Sequence, residues 1–136
     1  MSAFDNAIEH IARKKAGMFV LTTTFAHELE NEAKINASWK DRTGHARQSI
    51  NGKASNRGSV YRISLSHGVE YGEILEEGSK PHIIRPKNKK ALYWRGASHP
   101  VKVVNHPGTK GKPIIGPTLE RNIDRIKNTV IDYWSD

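Results

Sequence analysis

Chemistry in this chain would have to come from its seven histidines, its carboxylates or its serines, because none of its 136 residues is a cysteine. That absence excludes disulfides, thiolate metal sites and cysteine nucleophiles. His27-Glu28 opens like a helical zinc-protease motif, but Leu29-Glu30-Asn31 follow and the second histidine is missing. His99-Pro100 and His106-Pro107 lie in loop-like sequence that contains no carboxylate to complete a metal site. Glu73, Glu76 and Glu77 fall within one helical turn and read as a solvated face rather than an acid and base flanking a substrate. No Gly-x-Ser-x-Gly elbow occurs, and Gly52, Gly58, Gly68 and Gly72 form neither a dinucleotide fingerprint nor a phosphate loop. The residue types and spacings thus support no enzyme, no metal site and no cofactor.

Charge is more informative. The chain carries 22 Lys and Arg against 14 Asp and Glu, a formal +8, and the surplus is unevenly spread. Residues 1–46 hold six cations and six anions. From Gly78 to Leu119 there is no acid, while Lys80, Arg85, Lys87, Lys89, Lys90, Arg95, Lys102, Lys110 and Lys112 all fall there. A polyanion or an acidic protein surface is the expected partner of that segment. Tyr93 and Trp94 stand between Lys89-Lys90 and Arg95, an interleaving that suits phosphate contact with base stacking. The same pattern also fits a strand with solvated lysines at its ends.

The elements that would position these groups follow from periodicity. Phe4, Ile8, Ile11, Met18, Thr22, Phe25, Leu29, Ala33 and Ala37 recur mostly three, four or seven apart, which predicts one amphipathic helix from residue 3 to about 39. Ser2 with Asp5 is a capping-box variant, and Gly17 with Thr22-Thr23-Thr24 marks an expected bend. At 1.5 Å per residue such a helix is about 55 Å long, more than a domain this small can cover, so part of it should project or pack on a neighbour. Lys40 to His45 reads as a turn. Strands are expected at 48–54 and 60–66 around the loop Ser55 to Ser59, then a short helix over 69–77 with Tyr71, Ile74 and Leu75 on one side, stopped by Gly78. Short apolar runs at 83–84, 91–94 and 101–104 suggest further strands. Pro117 opens a last helix with Leu119, Ile123, Ile126, Val130, Ile131 and Trp134 at helical spacing. The expected architecture is a single α+β domain over 1–136: a long helix (1–39), a β-rich part with basic loops (47–116) and a C-terminal helix (117–134) packed on one antiparallel sheet. No apolar run approaches the roughly 18 residues of a membrane span, and Asp5 and Glu9 stand where a secretory signal would be basic then apolar. A soluble protein made in the cytoplasm is expected.

Three stretches, in order, resemble the tailed-bacteriophage family of head-tail joining, tail-completion or minor tail proteins. Asp41-Arg42-Thr43-Gly44-His45-Ala46-Arg47-Gln48-Ser49-Ile50 is similar to that family's Asp-Thr-Gly-x-Leu-Arg-x-Ser-Ile, with Arg42 inserted and Ala46 in place of Leu. Val69 to Ser79 is similar to Val-x-Tyr-Ala-x-Tyr-x-Glu-x-Gly-Thr, with Ile74 at the second aromatic position. His106 to Glu120 is similar to His-Pro-Gly-Thr-x-x-x-Pro-Phe-Leu-x-Pro-Ala, with Ile114 replacing Phe. The resemblance implies a structural virion protein at the head-tail junction, made in the bacterial cytoplasm. It implies a homo-oligomeric ring whose partners are neck or head-completion proteins, tail-tube or tail-terminator proteins, and genomic DNA passing through the lumen. Its motif residues Asp41, Thr43, Gly44, Tyr71, Glu77, Gly78, His106, Pro107, Gly108 and Pro113 are then the candidates for subunit or partner interfaces. The basic segment would face DNA or dock an acidic ring. A free-standing basic nucleic-acid-binding module is the alternative.

Overall fold

The computed structural model describes residues 2–39, 44–84 and 104–135. The first helix, α1 (Ala3–Asn36), begins on a reciprocal cap: the Ser2 hydroxyl accepts from the Asp5 N–H at 3.1 Å, and the Asp5 carboxylate accepts from the Ser2 N–H at 3.2 Å. It runs 34 residues, about 51 Å by the helical rise. The helix continues without a break through Gly17 and the threonines. Each threonine hydroxyl donates back to a carbonyl of the preceding turn, to Phe19 O from Thr22 and Thr23 and to Val20 O from Thr24. Gly17 has a packing role instead: a Cβ there would lie 2.2 Å from the Tyr133 hydroxyl.

A helical turn, α2 (His45–Gln48), precedes β1 (Asn51–Arg57) and β2 (Val60–Ser66), so the first strand starts three residues later than expected. Its partner register, from Asn51 opposite Ser66 to Arg57 opposite Val60, leaves only Gly58-Ser59 as the turn. After α3 (Gly72–Glu77) come β3 (Gly78–Ser79), β4 (His82–Ile84), β5 (Val104–His106) and β6 (Thr109–Lys110), then α4 (Ile115–Trp134). Pro117 lies in the first turn of α4, where its missing N–H is not needed. The expected strand at 91–94 lies outside the described residues.

Among the described residues the antiparallel pairing is divided into β1-β2, β3-β6 and β4-β5. The last two share one register: Gly78 pairs Lys110, Ser79 pairs Thr109, and His82 to Ile84 pair His106 back to Val104. That register sets Pro81 opposite Pro107, and the ladder breaks where neither residue has an N–H to give. The result is one two-stranded ribbon, interrupted at its proline pair.

The architecture is α+β, with helices and hairpin meeting in one core of Leu29, Ala33, Ala37, Trp39, Ile50, Leu65 and Ile114. The hairpin lies close on α1 because Gly52 permits it. A Cβ at Gly52 would sit 2.1 Å from the Ala26 carbonyl oxygen, and the Gly52 N–H donates to Glu30 Oε1 at 2.9 Å. Helix α4 runs antiparallel to α1. Tyr133 donates to the Lys14 carbonyl at 2.6 Å, Arg125 meets Glu28 at 3.2 Å, and Asn122 meets Glu32 at 2.8 Å.

Because the obstacle at Gly52 is backbone, Gly52→Ala is expected to destabilise the fold by about 2–3 kcal/mol, read as a lower urea midpoint with unchanged slope. An unchanged midpoint would show that β1 can lift from α1 at no cost.

Candidate interaction surfaces

The three stretches singled out in the sequence converge on one junction. In the first, Arg47 reaches the exposed end of α1: its guanidinium donates to the carbonyls of Lys34, Ala37 and Trp39, the last two at 2.8 and 3.1 Å. Its charge also lies 5.8 Å from the Trp39 ring centre. A cation supplying donors to orphan carbonyls is what a helix C-terminus needs. In the second stretch, Glu76 does the reverse at the N-terminus of α4. Its Oε1 accepts from the Ile114 and Ile115 N–H groups at 2.9 and 3.0 Å, and its Oε2 accepts from Gly116 at 3.1 Å. The third stretch supplies those N–H groups, and the Lys112 N–H donates to the Leu75 carbonyl at 2.8 Å while its own carbonyl accepts from Trp39 Nε1 at 3.1 Å.

Glu76 is therefore not part of a solvated face, as its place beside Glu73 and Glu77 suggested. Burial pushes its carboxyl up, but the three backbone N–H bonds and the His67 contact outweigh that and hold it below the usual carboxylate range. His67 Nε2 lies 3.3 Å from Glu76 Oε1, its ring tilts against Trp39 at 5.5 Å, and its buried Nδ1 has no partner among the described residues. Oε1 thus takes two main-chain donors and faces the histidine, while Oε2 takes one main-chain donor. The junction ties the three stretches to the facing ends of α1 and α4.

The other motif residues lie around it. Gly44, Gly78 and Gly108 all adopt positive φ, 74°, 83° and 88°. At Gly108 the need is twofold, since a Cβ would also meet the Ser79 carbonyl oxygen at 2.5 Å. Tyr71 and Ile74 are both 48% exposed, so of the three apolar residues expected on one side of α3 only Leu75 packs on the core. Glu77, Pro107 and Pro113 are exposed, and His106 lies in β5 opposite His82. Lys80, Lys110 and Lys112 are exposed along the ribbon. Asp41, Thr43, Arg85, Lys87, Lys89, Lys90, Arg95 and Lys102 lie outside the described residues.

A second basic surface was not singled out by the charge reading. The β1-β2 hairpin carries Lys53, Arg57 and Arg62 with no acid, and Arg57 and Arg62 line an open groove of about 500 Å³ with Ser55, Asn56 and Val60. Strand alternation was the available signal, because it puts residues two apart on the same face. Among the described residues no group of three histidines or carboxylates could hold a metal ion, and no helix is long and apolar enough to cross a membrane. No family model, curated protein or solved structure matches the chain.

Glu76 gives a pH signature with a definite sign. Its folded pKa lies below the unfolded value of about 4.3, so its contribution is complete above that pH and is lost as pH falls through the folded value. Glu30, lowered chiefly by the Gly52 N–H, acts in the same direction. Glu76→Gln is expected to cost about 1.5–3 kcal/mol at pH 7 and to flatten the acid limb of stability against pH, measured by denaturant titration from pH 7 to 3. An acid limb as steep as the wild type's would assign the acid sensitivity to other groups.

Proposed function

We propose that this chain is a structural virion protein of a tailed phage or prophage that forms an oligomeric ring at the head-tail interface. The observation that carries the reading is the junction itself. The three stretches that resemble the head-tail joining family supply Arg47, Glu76 and the start of α4, and these close both helix ends onto each other. Motif residues that build helix ends and turns fit an assembly part. The mechanism is then one of docking: subunit contacts, surfaces for neck and tail-tube or tail-terminator proteins, and a lumen through which genomic DNA passes. The ribbon with Lys80, Lys110 and Lys112 supplies the cationic face for DNA or for an acidic neighbouring ring. Negative-stain electron microscopy of the purified protein, alone and mixed with the neighbouring neck proteins, is expected to show rings of one symmetry. Particles that stay monomeric in both conditions would overturn the reading.

A free-standing nucleic-acid-binding module is the second reading, favoured by the arginine-lined groove of the hairpin. It requires the isolated protein to bind duplex DNA with an affinity that falls steeply with salt. Arg57→Ala with Arg62→Ala should then lower the slope of log K against log salt by about 1.8, two phosphate contacts at about 0.9 each. No retention of DNA on a filter at low salt would exclude this reading.

A further inference from the structure

Among the described residues two apolar surfaces are exposed on the two long helices, and one chain cannot bring them together. The first is the start of α1. Every residue from Ser2 to Arg13 is exposed, and Phe4, Ile8 and Ile11 form a stripe at 73%, 51% and 50% exposure. Tyr133, next to the last residue of α4, sits against Lys14 and Gly17, so this arm of about three turns extends past the end of its packing partner. The second surface is on α4. That helix meets α1 largely through polar residues, with Asn122, Arg121 and Arg125 on Glu32 and Glu28 and with Tyr133 on Lys14. Ile126 packs on the core, but the apolar stripe continues about 100° further round from the polar contacts, one position on: Leu119, Ile123 and Trp134 are 37%, 63% and 42% exposed, and Ile131 is 52% exposed beside them.

We propose that the arm of one copy lies along the apolar stripe of α4 in the next copy, antiparallel to it. The arm points away from its own α4, so reaching its own stripe would require breaking a continuous helix. Pairing two arms with each other would leave the α4 stripe wet, whereas arm on stripe covers both surfaces. Charge selects the direction. In the antiparallel sense Asp5 comes beside Lys127 and Lys15 beside Glu120 of the neighbour. In the parallel sense Asp5 would face Glu120. The seven apolar side chains expose roughly 700 Å² between them, taking about 150–250 Å² for each fully exposed side chain. With their polar flanks they reach the size of a specific contact, about 1,000 Å² or more. The contact is heterologous, since each copy gives an arm and receives one, so it propagates until it closes into a ring or runs on as a fibre. The proposal deepens the ring reading above and rests on it for closure alone.

The test uses the full chain and two double variants, Phe4→Glu with Ile8→Glu on the arm and Ile123→Glu with Ile131→Glu on the stripe. All four positions are exposed, and far-UV circular dichroism and the melting temperature should stay close to wild type. Light scattering after gel filtration should show an oligomer for the wild type and monomers for each variant, with association weakened roughly 30-fold or more per lost anchor. Mixing the two variants should give a one-to-one dimer and nothing larger, because only the intact arm of one and the intact stripe of the other remain. A wild-type monomer at high micromolar concentration, variants that keep the wild-type mass, or a mixture that stays monomeric would each overturn the proposal. Rings that persist in both variants would refute this contact while leaving the ring reading intact. Open fibres abolished by both variants would establish the contact and refute the ring.

Discussion

The fold depends on a carboxylate placed where a helix begins. The first N–H groups of α4 have no partner within the helix, and Glu76 satisfies three of them from an element 38 to 40 residues earlier in the chain. With the positive end of the helix dipole held against a half-buried negative charge, α4 has a fixed starting point and direction. Its remaining contacts then fall into register along α1, ending where Tyr133 enters the space left by Gly17. Arg47 does the complementary service at the end of α1. One ion of each sign thus joins the two long helices at the same corner, and Trp39 and Ile114 fill the space between.

The sequence made the elements more legible than their surroundings. Periodicity found both long helices, because an amphipathic pattern registers whatever covers its apolar side. It could not say what covers it. Met18, Phe25, Leu29 and Ala33 are buried on the same stripe that leaves Phe4, Ile8 and Ile11 in water. On α4 the apolar pattern is wider than the core it meets: Ile126 packs on the core, Asn122 and the arginines meet α1, and Ile123 and Ile131 stay exposed. Long-range polar pairs were the least legible. Glu76 looks like its neighbours Glu73 and Glu77 until its partners near residue 115 are placed beside it.

The glycines show the same division between local and distant causes. Gly44, Gly78 and Gly108 take positive φ at local reversals of the chain. Gly17 and Gly52, by contrast, are demanded by atoms far along the chain, the Tyr133 hydroxyl and the Ala26 carbonyl. A local reading of Gly17 predicts a weakened helix, and only packing reveals it as a seat.

The proline pair in the ribbon bears on how its two strands settle into one alignment. Pro81 and Pro107 lie directly across from each other, so a single rung of the ladder lacks both donors. Sliding the strands by one residue would spoil two rungs instead of one and would turn side chains to opposite faces. The pair therefore acts as a register pin.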